Sequence, residues 1–239
     1  MSDEILRERQ GRVLLITINR PESRNAVNLA VSQGLADAVD ELDENPDLSV
    51  AVLTGAGGNF CAGMDLKAFA AGEIVEIPGR GIGFTERRPR KPIISAVEGY
   101  AFAGGTEVVL ATDLVVASKS AKFGIPEVKR GLVAAGGGQL ALTGDSFTAE
   151  QGEAWGFVNV LTEPGEALAG AVELAERIAA NGPLAVATTK EILVKSAGWS
   201  EDEMWKRQLE LIVPIFSSND AKEGAIAFAE KRRPSWTGT

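Results

Sequence analysis

Two glutamates in this sequence stand where a carboxylate could do acid–base chemistry, each directly after a turn that glycine or proline marks. Glu107 follows Gly104 and Gly105 at the start of an expected helix, and Glu127 follows Pro126 in a loop between apolar segments. Glycine lets the backbone bend sharply or approach a ligand closely. Two carboxylates act as general base and general acid at neutral pH when burial raises the pKa of one above that of the other. Glu107 alone also has an ordinary explanation, since the helix dipole favours a carboxylate in the first turn of any helix.

A loop upstream of these glutamates could supply hydrogen-bond donors to the same site. The stretch NFCAGMDL follows an expected strand, and its small residues leave backbone N–H groups accessible around Ala62 and Gly63. Backbone N–H groups from two separate loops, helped by a helix N-terminus, can converge on one oxygen. Such a pair of donors is an oxyanion hole, which stabilises charge that develops on a carbonyl oxygen. The sequence therefore predicts an oxyanion hole beside two carboxylates.

The absence of histidine narrows the chemistry further. The chain has no histidine and one cysteine, so nucleophile systems that need an imidazole base and zinc sites built from His and Cys are excluded. Acid–base work is left to carboxylates, lysines, tyrosine or backbone dipoles. The single Cys61 stands among small residues and is predicted to be packed rather than reactive. One cysteine also excludes an internal disulfide framework, which is typical of a reducing compartment.

Composition excludes several other classes of protein. Lys and Arg number 24 and Asp and Glu 33, which gives a net charge of −9, and no basic cluster indicates a nucleic-acid partner. The charged N-terminus lacks an apolar signal region and no apolar run is long enough to cross a bilayer, so we expect a soluble, cytoplasmic protein without membrane contact. LTGAGGNF resembles a dinucleotide loop, but Phe60 occupies its third glycine position.

The pattern of apolar residues predicts strands and helices in alternation, followed by helices alone. A hairpin around Gln10 and Gly11 precedes a helix that begins near Asn28, and further strands are expected in LSVAVLTG, KPIISAVEG, DLVVAS and FVNVLTE. A short helix is expected from Glu107 to Thr112. From Pro164 onward the periodicity is helical. This predicts an α/β core over residues 1–163 and a helical region over 164–239.

Taken together and in order, these motifs resemble the crotonase (enoyl-CoA hydratase/isomerase) superfamily over nearly the whole chain. The matching stretches are INRPESRNAV, LTGAGGNFCAGMDL, KPIISAVEGYAFAGGTEVVLATDLVVAS, AKFGIPEVKRGLVAAGGG, LTGDSFTAEQGEAWGFVNVL and DAKEGAIAFAEKRRP. The resemblance implies a spiral of ββα units with a C-terminal helical region that packs trimers, often paired into hexamers.

The resemblance assigns chemical roles to four residues. The thioester carbonyl of an acyl-CoA would accept hydrogen bonds from the N–H groups of Ala62 and Gly104, which stabilises an enolate-like transition state. Family members that hydrate 2-enoyl-CoA have two glutamates, and the matching positions are Glu107 and Glu127. Glu107 would activate the water that adds at C3, and Glu127 would deliver a proton to C2. Keeping both favours an enoyl-CoA hydratase, a hydro-lyase.

The resemblance also implies a surface for coenzyme A, which is part of the substrate, so that no separate cofactor and no metal are expected. The residues predicted to form this surface are Arg24, Ala26, Val27, Met64, Asp65, Leu66 and Lys67. Lys231 and Arg232 are predicted to reach the CoA phosphates. The expected partners are therefore an acyl-CoA substrate and further copies of the same chain.

One segment departs from the family pattern. Members carry a helix between the glycine-rich turn and the LTGD motif, whereas AAGGGQLALTGD joins the two almost directly. We expect either that a helix is missing between Gly138 and Gln139, which would then lie too far apart for a peptide bond, or that a true deletion leaves the acyl pocket unusually open. The alternatives to a hydratase are another crotonase-fold acyl-CoA reaction, such as isomerisation or thioester hydrolysis, and a non-catalytic acyl-CoA-binding protein.

Overall fold

The computed structural model of the chain describes residues 4–134 and 140–239. The strands are β1 (Ile5–Gln10), β2 (Val13–Ile18), β3 (Val50–Gly55), β4 (Ile93–Val97), β5 (Tyr100–Phe102), β6 (Leu114–Ser118), β7 (Lys122–Gly124), β8 (Ser146–Thr148) and β9 (Val160–Thr162). The helices are α1 (Leu29–Glu44), α2 (Leu66–Ala70), α3 (Gly104–Leu110), α4 (Leu140–Thr143), α5 (Ala149–Ala154), α6 (Ala167–Ala179), α7 (Pro183–Ser196), α8 (Glu201–Phe216) and α9 (Asn219–Glu230). Short 3-10 turns cover Pro21–Ser23, Ala56–Gly58 and Glu127–Arg130.

The larger of two sheets has six strands in the order β1-β2-β3-β4-β6-β9. Strands β1 and β2 form the expected hairpin, and every other neighbouring pair is parallel. Strands buried on both faces of a sheet consist of nearly continuous apolar residues, as VLLITI of β2 and VAVLTG of β3 do. Alternate side chains of these strands belong to two separate apolar clusters, one on each face.

Each face of this sheet is covered by a helix with a matching apolar stripe. Asn28 caps the N-terminus of helix α1, because its side chain accepts a hydrogen bond from the N–H of Val31. The helix contributes Leu35 and Leu42 to the first cluster. Helix α6 contributes Ala171 and Ala175 to the second cluster. Because α6 packs directly on the sheet, this first helix of the predicted helical region is part of the core that the sheet builds.

Helix α7 is fastened to the sheet by a buried ion pair. The Nζ atom of Lys190 lies 2.7 Å from Asp113 Oδ2 and also donates to the carbonyl of Lys91 at 2.9 Å. Burial lowers the pKa of Lys190, while the charge of Asp113 opposes that shift. Removing one partner of such a pair would leave the other charge buried without a partner, so this contact holds α7 against the sheet.

The smaller sheet, in the order β5-β7-β8, lies next to the predicted loops. Its strands have three residues each, too few to show a periodicity in the sequence. An isolated bridge between Cys61 and Ala101 ties the upstream loop to β5. Helix α3 follows β5 directly and begins at Gly104 rather than at the predicted Glu107, because the sharp turn that starts it falls at Ala103.

The expectation about the join between Gly138 and Gln139 lies outside the described residues. The chain is described again from the start of α4 at Leu140, directly before the LTGD segment. Over the described ranges, no helix is both long and apolar enough to cross a bilayer.

Candidate active site

The four residues predicted to do the chemistry line one cavity of about 620 Å³. Ala62 comes from the loop after β3, Gly104 and Glu107 from the first turn of α3, and Glu127 from a 3-10 turn after β7. The rest of the wall is largely apolar and consists of Leu66, Phe69, Ile74, Val75, Ile82, Tyr100, Phe102, Leu132 and Val133. An apolar cavity with a few convergent polar groups is the usual form of a small-molecule site.

The two predicted oxyanion loops touch each other at Gly63. This residue has φ +97°, and a β-carbon built on it would lie 2.7 Å from Ala103 Cβ and 2.9 Å from Phe102 O. The same position is 3.4 Å from the backbone N of Gly104. Only glycine fits both this backbone angle and this close approach. Gly63 therefore allows residues 61–65, here called the CAGMD loop, to pack against the start of α3.

Ala103 forms the sharp turn from β5 into α3. Its φ of +52° is unfavourable for a residue with a side chain. The turn is held because the N–H of Ala103 donates to Gly124 O at 2.9 Å, and its carbonyl accepts from the N–H groups of Thr106 and Glu107. This conformation places the N–H of Gly104 at the cavity wall.

The N–H of Ala62, which the sequence predicted as an oxyanion donor, is already engaged. It donates to the carbonyl of Arg24 at 3.1 Å, so in this arrangement it is not available to a ligand. The peptide group between Gly63 and Met64 is oriented differently. Gly63 O accepts from the N–H of Val27 at 2.8 Å, and in a trans peptide the following N–H, that of Met64, points the opposite way.

In the two loops that meet at Gly63, the N–H groups of Met64 and Gly104 are free of partners among the described residues and thus open to a ligand. Within residues 4–134 and 140–239, no hydrogen bond engages the backbone N–H of Met64 or of Gly104. Both residues line the cavity, and they belong to the two loops that meet at Gly63. Sequence reasoning missed Met64 as a donor because the parallel bridge between Val27 and Met64, which decides the matter, joins distant parts of the chain.

The carboxylate of Glu107 lies beside the start of its own helix. A β-carbon built on Gly104 would be 3.8 Å from Glu107 Oε2, which places this oxygen near Gly104. The side chain is partly exposed and faces the cavity. Glu107 and Gly104 therefore lie close together at the wall of one cavity.

Glu127 has a different environment. Its Oε2 atom is buried and finds no hydrogen-bond partner among the residues that the structure describes. Burial raises the pKa of Glu127 above the usual carboxyl range, and the charge of Glu107 adds to this shift, although a hydrogen bond from its own backbone N–H and the charge of Arg130 oppose it. Glu127 therefore holds a proton to higher pH than an ordinary glutamate.

The residues predicted to bind coenzyme A divide into two groups. Arg24, Met64 and Leu66 line the cavity. The others are Ala26, Val27, Asp65 and Lys67, of which Ala26 and Val27 are buried and Lys67 is exposed outside the cavity wall. The Asp65 carboxylate accepts from the N–H groups of Lys67 and Ala68 and caps α2. A role of these residues in CoA binding stays a prediction.

The two basic residues predicted to reach the CoA phosphates lie at the end of α9, outside the cavity wall. Lys231 ends the helix with φ +56°, and Arg232 is paired with Glu223 and Glu230. Over the described part of the chain, no group of three or more His, Cys, Asp or Glu side chains is arranged to hold a metal ion.

Ile82 is a wall residue that sequence reasoning also missed, because its segment shows no periodicity. A second cavity of about 200 Å³ adjoins the first, and Glu76, Ile82 and Glu107 line both. Ile82 is buried, and its N–H donates to Thr85 Oγ1 at 2.9 Å. Ile82 therefore belongs to the wall that the two cavities share.

Cys61 is the first residue of the CAGMD loop and is fully buried. Burial raises the pKa of its thiol to about 12, although a hydrogen bond from the Gly63 N–H opposes the shift. A thiol that stays protonated is a poor nucleophile. The prediction that Cys61 is packed is confirmed, and its low reactivity stays a prediction.

The sequence model of the family described as enoyl-CoA hydratase/isomerase matches residues 8–239. The chain belongs to this family. A crystal structure of an enoyl-CoA hydratase from Mycobacterium tuberculosis H37Rv is 62% identical, with a TM-score of 0.98 over 100% of both chains, so the predicted crotonase fold is confirmed. The enoyl-CoA hydratase EchA19 of Mycobacterium tuberculosis is 40% identical over 98% of this chain and 96% of its own.

A further member of the family shares the whole length of the chain. The carnitinyl-CoA dehydratase of Salmonella arizonae is 40% identical over 261 residues that cover 100% of both chains. This alignment is longer than the 239 residues of the present chain, so it includes positions that this chain lacks. Relatives of this kind are hydro-lyases, and the protein is an enzyme of that type with an enoyl-CoA hydratase-like function.

Proposed function

We propose that this protein hydrates 2-enoyl-CoA thioesters across the C2=C3 double bond. The observation that carries the proposal is the pairing, in one cavity, of two open backbone N–H groups with two glutamates in unlike environments. The N–H groups suit a carbonyl oxygen on which charge develops. The glutamates suit a base and an acid that act on neighbouring carbon atoms.

The steps follow from where these groups lie. The thioester oxygen accepts hydrogen bonds from Met64 and Gly104, with Met64 in the place that the sequence suggested for Ala62. Glu107 takes a proton from water as the water oxygen bonds to C3, and the electron pair of the double bond moves toward the thioester. Glu127 then gives its proton to C2. Glu107 ends protonated and Glu127 ionised, and proton exchange with solvent restores both.

The same groups catalyse the reverse reaction, in which water leaves a 3-hydroxyacyl-CoA. The full-length similarity to a carnitinyl-CoA dehydratase favours this direction as the second candidate. Which acyl group fits depends on the rest of the cavity wall, whereas the net direction depends on the concentrations of the two thioesters, because a catalyst accelerates both directions equally.

An assay with crotonyl-CoA tests the proposal directly. Hydration removes the conjugated enoyl thioester, and its absorbance falls with turnover. Release of free CoA thiol instead would indicate a thioester hydrolase, and conversion of a 3-enoyl-CoA to the conjugated form would indicate an isomerase. Binding of crotonyl-CoA without any of these changes would leave a non-catalytic acyl-CoA-binding protein.

The raised pKa of Glu127 predicts a pH dependence. Only protonated Glu127 can deliver a proton, so kcat/KM for hydration should fall as pH rises through the pKa of this residue. Arg130 holds that pKa down, so Arg130→Gln should raise it and move the falling limb of the pH profile to higher pH. Lys129→Gln is the matched control, since Lys129 lies in the same turn but pairs with Asp145. Equal profiles for both variants and the wild type would contradict the assignment of Glu127 as the acid.

We also propose that the chain forms a trimer or a multiple of three. Helix α8 exposes Trp205, Leu209 and Phe216 by 70%, 60% and 79%, and apolar patches of this kind usually mark an interface. Light scattering should give a closed oligomer at micromolar concentration. The double substitution Leu209→Asp with Phe216→Asp should reduce its mass, whereas Leu6→Asp on β1 should not. A stable wild-type monomer would contradict this proposal.

A further inference from the structure

The guanidinium of Arg20 connects two segments of the chain, one that contains Ala26 and one that contains Asp65 and the CAGMD loop. Arg20 lies in the chain between β2 and the 3-10 turn of Pro21–Ser23, and its side chain is 13% exposed. Its Nη1 donates to Ala26 O at 2.5 Å, and its Nη2 donates to Asp65 Oδ2 at 3.1 Å. Its Nε lies 3.4 Å from Glu4 Oε1. The planar fork of arginine can make these contacts at once, which the single ammonium of lysine cannot.

Asp65 is held at both its carboxylate oxygens. Oδ1 accepts from the N–H groups of Lys67 and Ala68 at 3.0 and 3.3 Å, and Oδ2 faces Arg20. Burial alone would raise the pKa of Asp65, but these hydrogen bonds outweigh it and hold the pKa below the usual value. The pair with Arg20 is therefore charged at neutral pH.

Hydrogen bonds to Val27 hold the chain on both sides of the peptide group that joins Gly63 to Met64. Val27 donates to Gly63 O and accepts from the N–H of Asp65, both at 2.8 Å. The Gly63 carbonyl and the Met64 N–H belong to the same planar peptide, so the hydrogen bond to Val27 sets the direction of the Met64 N–H. Arg20 binds Ala26, which precedes Val27, and it also binds Asp65, which follows Met64. It therefore holds the two segments in register.

We propose that Arg20 positions the Met64 N–H of the oxyanion hole, and that its clamp on Ala26 and Asp65 sets the strength of the hydrogen bond to the thioester oxygen. This inference rests on the proposed function. Arg20 is not among the described residues of the cavity wall, so it is a positioning residue that acts through Met64. It also gives Asp65 a role other than contact with coenzyme A.

Kinetics of two variants test the clamp. Arg20→Lys keeps the charge but not the fork, and Asp65→Asn keeps an oxygen to cap α2 but loses its charge. We expect each to lower kcat for crotonyl-CoA by roughly 10- to 100-fold, since small misplacements of catalytic groups cost about this much, with KM changed little. Arg7→Lys is the matched control, because Arg7 also pairs with a carboxylate, Glu41, across two elements.

A spectroscopic measurement separates positioning from a merely structural role. Butyryl-CoA labelled with ¹³C at the thioester carbonyl is saturated, so its carbonyl stretching band reports hydrogen bonding without turnover. Binding should move this band to lower frequency in the wild type and in Arg7→Lys, and by a smaller amount in Arg20→Lys and Asp65→Asn. Circular dichroism identifies variants that fail to fold, and if Arg20→Lys fails, Asp65→Asn decides.

The outcomes keep the two proposals apart. A normal band shift and normal kcat in folded Arg20→Lys and Asp65→Asn would overturn the positioning role, and so would a rise in KM alone. A band shift that depends on Arg20 in a protein without hydratase activity would support the clamp and reject the proposed function.

Discussion

Glu107→Gln and Glu127→Gln are each expected to lower kcat for hydration of crotonyl-CoA by about two to four orders of magnitude, the usual contribution of a positioned base or acid. Glutamine keeps the size of the side chain but neither accepts a proton from water nor delivers one to C2. Both variants should fold, because the change is nearly isosteric and Glu127 Oε2 gives up no hydrogen bond within the described residues.

Glu76→Gln is the matched control for these two substitutions. Glu76 lines the same cavity but is exposed, so its loss should change kcat by much less. Either catalytic variant with nearly full activity would remove that glutamate from the mechanism. A large loss in Glu76→Gln would show instead that the net charge of the cavity matters more than two particular carboxylates.

Gly63→Ala is expected to lower kcat by roughly 100- to 1,000-fold, the loss typical of removing one oxyanion donor. The added β-carbon would lie 2.7 Å from Ala103 Cβ, so the CAGMD loop and the start of α3 must separate. The N–H groups of Met64 and Gly104 would then no longer converge. Steady-state kinetics with crotonyl-CoA and thermal unfolding measure the two effects.

Gly58→Ala controls for the backbone cost of this substitution. Gly58 has φ +78°, and a β-carbon there meets nothing within 4 Å. It should lose roughly 1–2 kcal/mol of stability from the left-handed conformation and keep its kcat. If Gly63→Ala loses stability but retains kcat, the contact between the two loops does not matter for catalysis.

Sequence patterns predict the parts of this fold that depend on neighbours along the chain. The apolar runs of β2 and β3 and the N-cap Asn28 of α1 are local features, and they form the predicted elements. Glu107 and Glu127 could be selected from the sequence because each follows a marked turn, and the structure brings both to one cavity.

The features that could not be predicted depend on contacts between distant residues. The choice of Met64 over Ala62 as the open donor depends on Val27 and Arg24, which lie far earlier in the chain. Arg20 was not singled out because its partner Asp65 is 45 positions away. The alanine stripe of helix α6 does not show in the sequence that it covers the second face of the sheet.

The complete burial of Cys61 within the CAGMD loop makes this residue a reporter of loop opening. The side chain is fully buried, and its Sγ accepts a hydrogen bond from the N–H of Gly63 in the same loop. Because of this burial, a reagent cannot reach the sulfur while the CAGMD loop stays against α3. Because the chain has one cysteine, alkylation would mark a single site without any engineering. Its rate under native conditions would measure how often the loops part through local unfolding, and a bound acyl-CoA that bridges both loops should slow it.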